Sequence, residues 1–324
     1  MGIRLVFLVA VVLAAGSLGV LAASCGADEP QSAGPVPSDT ATDTGTGTGS
    51  GSAPATTGET SGSTTTTAPP PTTTETRTVT VQAWFARPEL EGRSPGDPKL
   101  FVVHRTIPAT EGIGAAAVNE LLAGPESIES AADVSTAVPD GTRLLGLNIA
   151  NGLATVDLSS EFESGGGSLS MQMRLAQVVY TLTQFPTVKR VQFQLDGEPV
   201  RVFSGEGIVL DKPVTRGDYE ELLPAILVAT PAIGEEISRS VEISGNSNVF
   251  EANVTALVET ASGKQLARDF TTATCGTGCR GDYSLTLTFR AQPAGSSGFV
   301  VVQDDDAAGQ GFPPHQVRIP IVFG

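Results

Sequence analysis

The sequence predicts an α+β domain with helices on one face of a mixed sheet, followed by an all-β sandwich, both behind a disordered N-terminal stalk. Three observations predict this order. Residues 25–77 are dominated by Gly, Ser, Thr and Pro, residues 78–221 mix helical and strand patterns, and residues 224–324 hold strand patterns alone. Short strands separated by Gly, Asn, Asp and Ser are typical of an antiparallel sandwich.

The N-terminus has the composition of an export signal. Residues 1–4 carry one positive side chain, and residues 5–23 carry no charge. Small residues then precede Cys25 in the stretch Ala-Ala-Ser-Cys, which resembles a bacterial lipobox. We therefore predict a signal peptide at 1–24 and a lipid on Cys25 that anchors the protein in the cell membrane, facing the extracellular or cell-wall side. The alternative is that the apolar run stays as an uncleaved membrane anchor.

The stretch after Cys25 has almost nothing to bury. Because Gly, Ser, Thr and Pro at 25–77 cannot offset the entropy of ordering, we expect a disordered stalk. A flexible coil of this length has a root-mean-square reach of about 40 Å, which suits a domain held above a membrane.

The net charge excludes one class of partner. The chain has 19 basic and 35 acidic residues, a net charge of −16. Nucleic-acid binding needs a basic surface that neutralises phosphates. The sequence therefore predicts no nucleic-acid partner, and membrane attachment through the lipid on Cys25 rather than through charge.

The α+β part alternates strand and helix patterns. A helix at 113–123 ends at Gly124 and Pro125, which are residues that stop helices. Asn151-Gly152 joins two strands as a two-residue hairpin turn. The predicted elements are strands at 78–85, 100–107, 144–150, 153–158 and 188–195 and helices at 113–123 and 168–184.

This part of the chain resembles a known family. The resemblance lies in LLAGPES at 121–127, AVPDGTRLLGLNIANGLATVDLSSEF at 137–162, LAQVVYTLTQFPTVKRVQFQLDGEPV at 175–200 and RGDY at 216–219. These stretches are similar to the germane (GerMN) domain of bacterial sporulation and germination lipoproteins. The resemblance implies a germane domain at 78–221, and germane domains are themselves similar to ring-building modules that pack side by side in envelope assemblies.

The C-terminal part predicts seven strands. The stretches ILVAT with TPAIGEEI, VEISGNSNVFEANV and the final VRIPIVF are similar to the immunoglobulin-like domain that often follows a germane domain. The resemblance implies an immunoglobulin-like sandwich at 224–324. The predicted strands are 226–230, 240–245, 253–260, 265–271, 283–289, 298–303 and 316–323.

Two cysteines remain once Cys25 is assigned to lipid. Cys275 and Cys279 lie four apart in the stretch ATCGTGCRGDY, and an exported chain favours their pairing as a disulfide. Structural zinc needs four nitrogen or sulfur ligands, and the chain has two histidines, His104 and His315. The RGD that follows Cys279 is either an adhesion motif or, as we expect, turn chemistry beside a bridged loop.

One face of the second helix is polar. Its members recur at helical spacing, and the apolar residues of this helix can face the sheet. We expect the polar stripe either to be a plain solvent face or to contact a partner, which would be another envelope protein or a second copy of the chain. The stripe consists of Ser170, Arg174, Gln177, Thr181 and Gln184.

Candidate catalytic and metal-binding residues are few. Asp157 and Glu161 follow a strand end, and a pair of carboxylates could in principle cleave wall glycan. Residues 304–306, all Asp, form either a calcium loop or a hydrated acidic turn. No metal site, cofactor or catalytic residue is predicted. The sequence thus favours a non-enzymatic, lipid-anchored envelope protein with two interaction modules; the alternatives are a wall-glycan enzyme and a peptidoglycan-binding module.

Overall fold

A computed structural model describes residues 77–205, 207–305 and 313–324, which lie in one compact unit. The predicted signal peptide, Cys25 and all but the last residue of the predicted stalk lie outside the described residues.

The helices and strands are numbered in chain order. The helices are α1 (Ile113–Ala123), α2 (Ser127–Ser130) and α3 (Ser168–Leu182). Helical 3₁₀ turns lie at Ser160–Glu163, Arg216–Leu222 and Phe250–Ala252. The strands are β1 (Thr78–Glu91), β2 (Ser94–Pro108), β3 (Leu144–Ala150), β4 (Leu153–Leu158), β5 (Arg190–Leu195), β6 (Glu198–Pro199), β7 (Val202–Phe203), β8 (Ile208–Val209), β9 (Ile226–Thr230), β10 (Glu236–Ile237), β11 (Ser240–Ser247), β12 (Asn253–Thr260), β13 (Gln265–Thr272), β14 (Gly281–Thr288), β15 (Ser297–Gln303) and β16 (His315–Phe323).

A mixed sheet forms the centre of the α+β part, in the order β3-β4-β5-β6. The hairpin β3–β4 turns at Asn151 and Gly152, whose φ angles of 52° and 78° fit the expected two-residue turn. Strand β5 runs parallel to β4, and α3 supplies the crossover that a parallel pair needs. The α+β fold class is therefore confirmed.

Helix α3, which is the second of the two predicted helices, is enclosed by the protein rather than exposed on its surface. Helix α3 contacts β5 of the mixed sheet and also the hairpin β1–β2. Eleven of the twelve positions from Met171 to Leu182 are buried, and Gln172 is the exception. A helix with two sheets as neighbours has little solvent-facing surface, and this determines the environment of its polar side chains.

The first hairpin is longer than the sequence predicts. Strands β1 and β2 stay paired past the predicted ends, through Pro88 opposite Pro98 and a register shift between Pro88 and Leu90. The end of β1 then pairs with the last strand, with Leu90 opposite Gln316 and Glu91 opposite His315. The hairpin thereby joins the sandwich in one sheet of order β13-β12-β15-β16-β1-β2, with β10 alongside β16.

The C-terminal part is the predicted antiparallel sandwich. One sheet has the order β14-β11-β9, and the other contains β13, β12, β15 and β16. All seven predicted strands are present, each within two residues of its expected ends. Ile243 of β11 and Val258 of β12 are fully buried, as are Val302 and Ile319 of β15 and β16, so both sheets contribute to the core.

Candidate ligand-binding site

The polar stripe on α3 does not face solvent. Arg174 is 2% exposed, and Gln177 and Thr181 are completely buried. Ser170 and Gln184 are half-buried. The expectation of an exposed stripe, as a solvent face or as a partner contact, is therefore wrong for Arg174, Gln177 and Thr181, which the protein itself encloses.

The physical reason lies in the edge of β1 that β2 does not pair. Backbone groups on a strand edge need hydrogen-bond partners when they are buried. Gln184 Oε1 accepts from Gln82 N at 2.7 Å, and Gln184 Nε2 donates to Gln82 O at 2.7 Å. Thr181 Oγ1 accepts from Trp84 N at 3.2 Å, and Gln177 Nε2 donates to Trp84 O at 2.9 Å. The stripe thus supplies the hydrogen bonds that a neighbouring strand would form with the backbone of Gln82 and Trp84.

Arg174 serves the other end of the helix. Its Nη1 donates to the carbonyl oxygens of Phe162 at 2.6 Å and Ser164 at 3.1 Å, and its Nη2 donates to Gly165 O at 3.1 Å. Burial lowers the pKa of Arg174. The guanidinium thus anchors the turn that follows β4 by hydrogen bonds to neutral carbonyls.

The two RGDY tetrapeptides meet at one cavity. Its volume is about 200 Å³, and both motif arginines line it, Arg216 from the 3₁₀ turn and Arg280 beside β14. Both motif tyrosines are buried, with Tyr219 7% and Tyr283 4% exposed. Gly281 begins β14 instead of a turn, so the expectation of turn chemistry at the second RGDY is also wrong. The other lining residues are Trp84, Tyr180, Gly217, Glu220, Leu223, Leu227 and Asn246.

Aromatic rings and hydrogen bonds hold Arg216 in place. Its guanidinium carbon lies 4.7 Å from the ring centroid of Tyr180 and 5.5 Å from that of Trp84, distances at which a cation is attracted to an aromatic face. Its Nε donates to Thr183 Oγ1 at 2.7 Å, and its Nη2 donates to Tyr180 O at 3.1 Å. This guanidinium is rigid before any ligand arrives.

Arg280 connects the cavity to the sandwich. Its Nη1 donates to Asn246 Oδ1 at 2.9 Å, and its Nη2 donates to Pro224 O at 2.7 Å. Within the described residues neither Arg216 nor Arg280 forms an ion pair with a carboxylate. Burial lowers the pKa of both arginines, and for Arg280 the charge of Glu220 partly opposes that effect. The cavity therefore holds two guanidinium groups that form no ion pair among the described residues, and Glu220 is the acidic residue in its lining.

The carboxylates considered for catalysis have structural partners. Asp157 Oδ1 accepts from Gly197 N at 2.9 Å. A hydrogen bond from Ser159 lowers the pKa of Glu161, whereas a general acid for glycan cleavage needs a raised pKa. Asp157 thus stabilises the turn at Gly197, and the pKa of Glu161 is shifted in the direction opposite to that of a general acid.

The acidic run has protein partners at its two described members. Asp304 Oδ2 contacts His315 Nδ1 at 2.8 Å, and Asp304 holds the pKa of His315 above its usual value. Asp305 Oδ2 accepts from Thr255 Oγ1 at 3.0 Å, and Asp305 pairs with Arg268. Asp306 lies outside the described residues. These contacts fit a hydrogen-bonded acidic turn.

Two protein-family models match the chain, one over most of the α+β part and one over most of the C-terminal sandwich. Residues 63–201 match the germane model, described as sporulation and spore germination. Residues 225–310 match the model of the immunoglobulin-like domain of bacterial spore germination. The chain carries a germane domain followed by a germination-type immunoglobulin-like domain. The cavity of the two arginines is lined by residues from both domains and from the segment between them.

Solved structures with similarity to the chain include germane domains. A candidate lipoprotein from Clostridium perfringens is 20% identical, with a TM-score of 0.31, and the match covers 45% of this chain and 93% of that one. The first GerMN domain of the sporulation protein GerM from Bacillus subtilis is 21% identical, with a TM-score of 0.34. The match covers 43% of this chain and 99% of that chain. The tandem GerMN domains of the same protein are 14% identical, with a TM-score of 0.36; the match covers 67% of this chain and 62% of that chain. A search of curated proteins found no match.

The cysteine pair belongs to the immunoglobulin-like domain. Cys275 and Cys279 are joined in a disulfide, with their α-carbons 5.8 Å apart, as the sequence predicts. Within the loop, Thr277 and Gly278 both have positive φ, and Thr277 N donates to Val249 O at 3.0 Å. The bridge closes the loop that immediately precedes Arg280.

Removing the bridge is expected to weaken the fold without abolishing it. In the chain-entropy account, a loop this short contributes roughly 2 kcal/mol to the free energy of unfolding. The double variant Cys275→Ser, Cys279→Ser should therefore fold, with a free energy of unfolding lower by about that amount. Denaturant unfolding checks the value, and intact mass before and after reduction checks the bridge. Two alkylatable thiols in the unreduced exported protein would contradict the pairing.

Sequence reasoning missed the aromatic wall of the site. Trp84 lies in a predicted strand and Tyr180 in a predicted helix, and neither position stands out from its pattern. The one signal was the repeated RGDY, because both copies supply an arginine to the same cavity. In the described part of the chain, none of the helices combines the length and apolar composition that a membrane span requires.

Proposed function

We propose that the protein is a non-enzymatic, lipid-anchored envelope protein that presents its germane and immunoglobulin-like domains outside the membrane as one binding unit. The observation that carries the proposal is the pairing of β1 with β16, which makes strands from both domains members of one sheet. Two domains in one sheet keep a fixed relative position, so a ligand site lined by both is preorganised.

The N-terminal sequence supports the anchor. An export-type leader ends at small residues before Cys25, and a Gly/Ser/Thr/Pro stretch separates that cysteine from the folded part. Both domain families are described by sporulation and germination, and neither description names a reaction. The partner we propose is another envelope protein or a second copy of the chain.

Replacing Cys25 tests the anchor. In cells fed a labelled fatty acid, Cys25→Ser should lose the label, because the thioether link needs the Cys25 sulfur, and the variant should be released or trapped with its leader attached. The double variant Cys275→Ser, Cys279→Ser is the matched control, since it removes the other two cysteines and should keep the label. Unchanged labelling and membrane retention in Cys25→Ser would refute lipid anchoring.

A hydrolase assay tests the non-enzymatic part. The purified protein, kept in detergent micelles, should release no soluble fragments from purified peptidoglycan. Release that depends on Glu161, measured with Glu161→Gln, would instead establish the wall-glycan enzyme.

A further inference from the structure

We infer that the cavity lined by Arg216, Arg280, Trp84 and Tyr180 binds the free carboxylate at the end of a peptide. This inference deepens the proposed function and rests on it, because it names what the two-domain unit recognises. The ligand chemistry is a terminal carboxylate beside a small apolar group, either at the C-terminus of a partner protein or on a wall peptide.

The charge of the cavity points to an anion. Arg216 and Arg280 are half-buried, and a cation that loses part of its hydration needs an opposite charge or hydrogen bonds to offset the cost. The chain has a net charge of −16, yet two guanidinium groups converge here, and neither is ion-paired within the described residues. Arg105, by comparison, pairs with Glu129, Glu120 and Glu126. A ligand carboxylate would supply the missing charge at Arg216 and Arg280.

Unused donors point to hydrogen bonding as well as charge. Arg216 employs Nε and Nη2 in bonds to the protein, and its Nη1 makes no hydrogen bond to the described residues. Arg280 employs both terminal nitrogens and its Nε is buried without a partner among the described residues, so Arg280 contributes charge, and the donor open to a ligand is Arg216 Nη1. A guanidinium with free N–H groups matches the two oxygens of a carboxylate, and charge-assisted bonds of this type are the strong ones.

The remaining walls limit what accompanies the carboxylate. Leu223 and Leu227 are apolar and buried, with 9% and 4% exposure, and Gly217 presents no side chain. A volume of about 200 Å³ is below the range typical of drug-sized ligands and suits a terminal residue with a small side chain. Glu220 also lines the cavity and is exposed, so its negative charge opposes an anionic ligand.

The protein carries its own reporter for this site. Trp84 is the single tryptophan of the chain, and its side chain lines the cavity beneath Arg216. Titration of the full-length protein in detergent micelles should use acetyl-Ala-Ala with a free carboxylate and, in parallel, the same dipeptide with a terminal amide. Each probe is used in an all-L and an all-D form. Preference for the L form indicates a protein C-terminus, and preference for the D form indicates a wall peptide. Trp84 fluorescence and calorimetry measure binding.

Three variants make the test specific. Arg216→Gln should weaken binding of the free carboxylate by about tenfold or more, because it removes a charge-assisted hydrogen bond. Glu220→Gln should strengthen it by roughly twofold to tenfold, because it removes a nearby like charge. Arg290→Gln changes the same charge at an exposed position outside the cavity, and its affinity should equal that of the unaltered protein.

The expected result is saturable binding of the acid in at least one handedness, and none of the amide. Absence of saturable binding, or equal affinity for acid and amide, would overturn the inference. If Arg216→Gln does not fold by circular dichroism, Glu220→Gln decides alone, and an unchanged affinity in that variant counts against the site. Lipid labelling of Cys25 is a separate measurement, so failure here and failure of the proposed function are distinguishable.

Discussion

Arg174→Glu is expected to lower the free energy of unfolding by at least about 4 kcal/mol, a large part of the 5–15 kcal/mol typical of a folded protein. The replacement places a carboxylate where the carbonyl oxygens of Phe162, Ser164 and Gly165 now accept hydrogen bonds from the guanidinium. Arg174 is 2% exposed, so water cannot screen the repulsion. Thermal and denaturant unfolding, or loss of soluble protein, measure the effect.

The control for this variant reverses the same charge on the surface. Arg190 begins β5 and is exposed, so Arg190→Glu should change the free energy of unfolding by less than about 0.5 kcal/mol. If Arg174→Glu proved as stable as Arg190→Glu, the buried position of the α3 stripe would be wrong. The stripe would then again be available to a partner.

Gln177→Leu is expected to lower the free energy of unfolding by roughly 2–4 kcal/mol, because one buried and one partly buried backbone group lose their partners. Gln177 Oε1 accepts from Ala137 N at 2.9 Å, and Gln177 Nε2 donates to Trp84 O at 2.9 Å. Leucine has a similar volume, so the loss reports hydrogen bonding rather than a cavity. Denaturant unfolding measures the change, and an unchanged slope would show that compactness is preserved.

The same helix offers a matched control. Gln172 lies on α3 and is exposed, so Gln172→Leu makes the same replacement in the same helix without removing a buried hydrogen bond. We expect a change below about 0.5 kcal/mol for Gln172→Leu. Equal effects of the two variants would mean that helix propensity, and not the edge of β1, accounts for the result.

Replacements on the buried polar stripe also affect the cavity. Gln177 and Thr181 hold the backbone of Trp84, and Trp84 in turn lies against Arg216. A change on the buried stripe can therefore disturb the ligand-binding site without touching it. Binding experiments on stripe variants need the unfolding measurement beside them for that reason.

Most secondary structure was predictable because its causes are local. Asn151-Gly152 adopts the positive φ angles that its turn requires, and the seven sandwich strands lie between turn-forming residues. Helix α3 was expected at 168–184 and spans Ser168–Leu182. The disulfide followed from two remaining cysteines in a chain whose N-terminus predicts export, without knowledge of the fold. Periodicity, turn chemistry and cysteine count act over a few residues, so a sequence displays them directly.

The long hairpin was not predictable in full. Pro88, Pro95 and Pro98 lie in its outer half, and proline argues against a strand because it donates no hydrogen bond. The structure accommodates them with a register shift after Pro88 and then pairs the end of β1 with β16. That pairing depends on a strand more than two hundred residues away, which no local pattern reveals.

The environment of the polar stripe and the ligand cavity were decided by tertiary structure alone. Helical spacing showed that Gln177 and Thr181 share a face, but the same spacing suits water and an unpaired strand edge equally well. The two RGDY copies were visible in the sequence, whereas their convergence depends on how the germane and immunoglobulin-like domains pack. A side chain's hydrogen-bond partners and charge neighbours come from segments distant in the chain, so only the assembled fold determines which polar residues are structural and which remain free for a ligand.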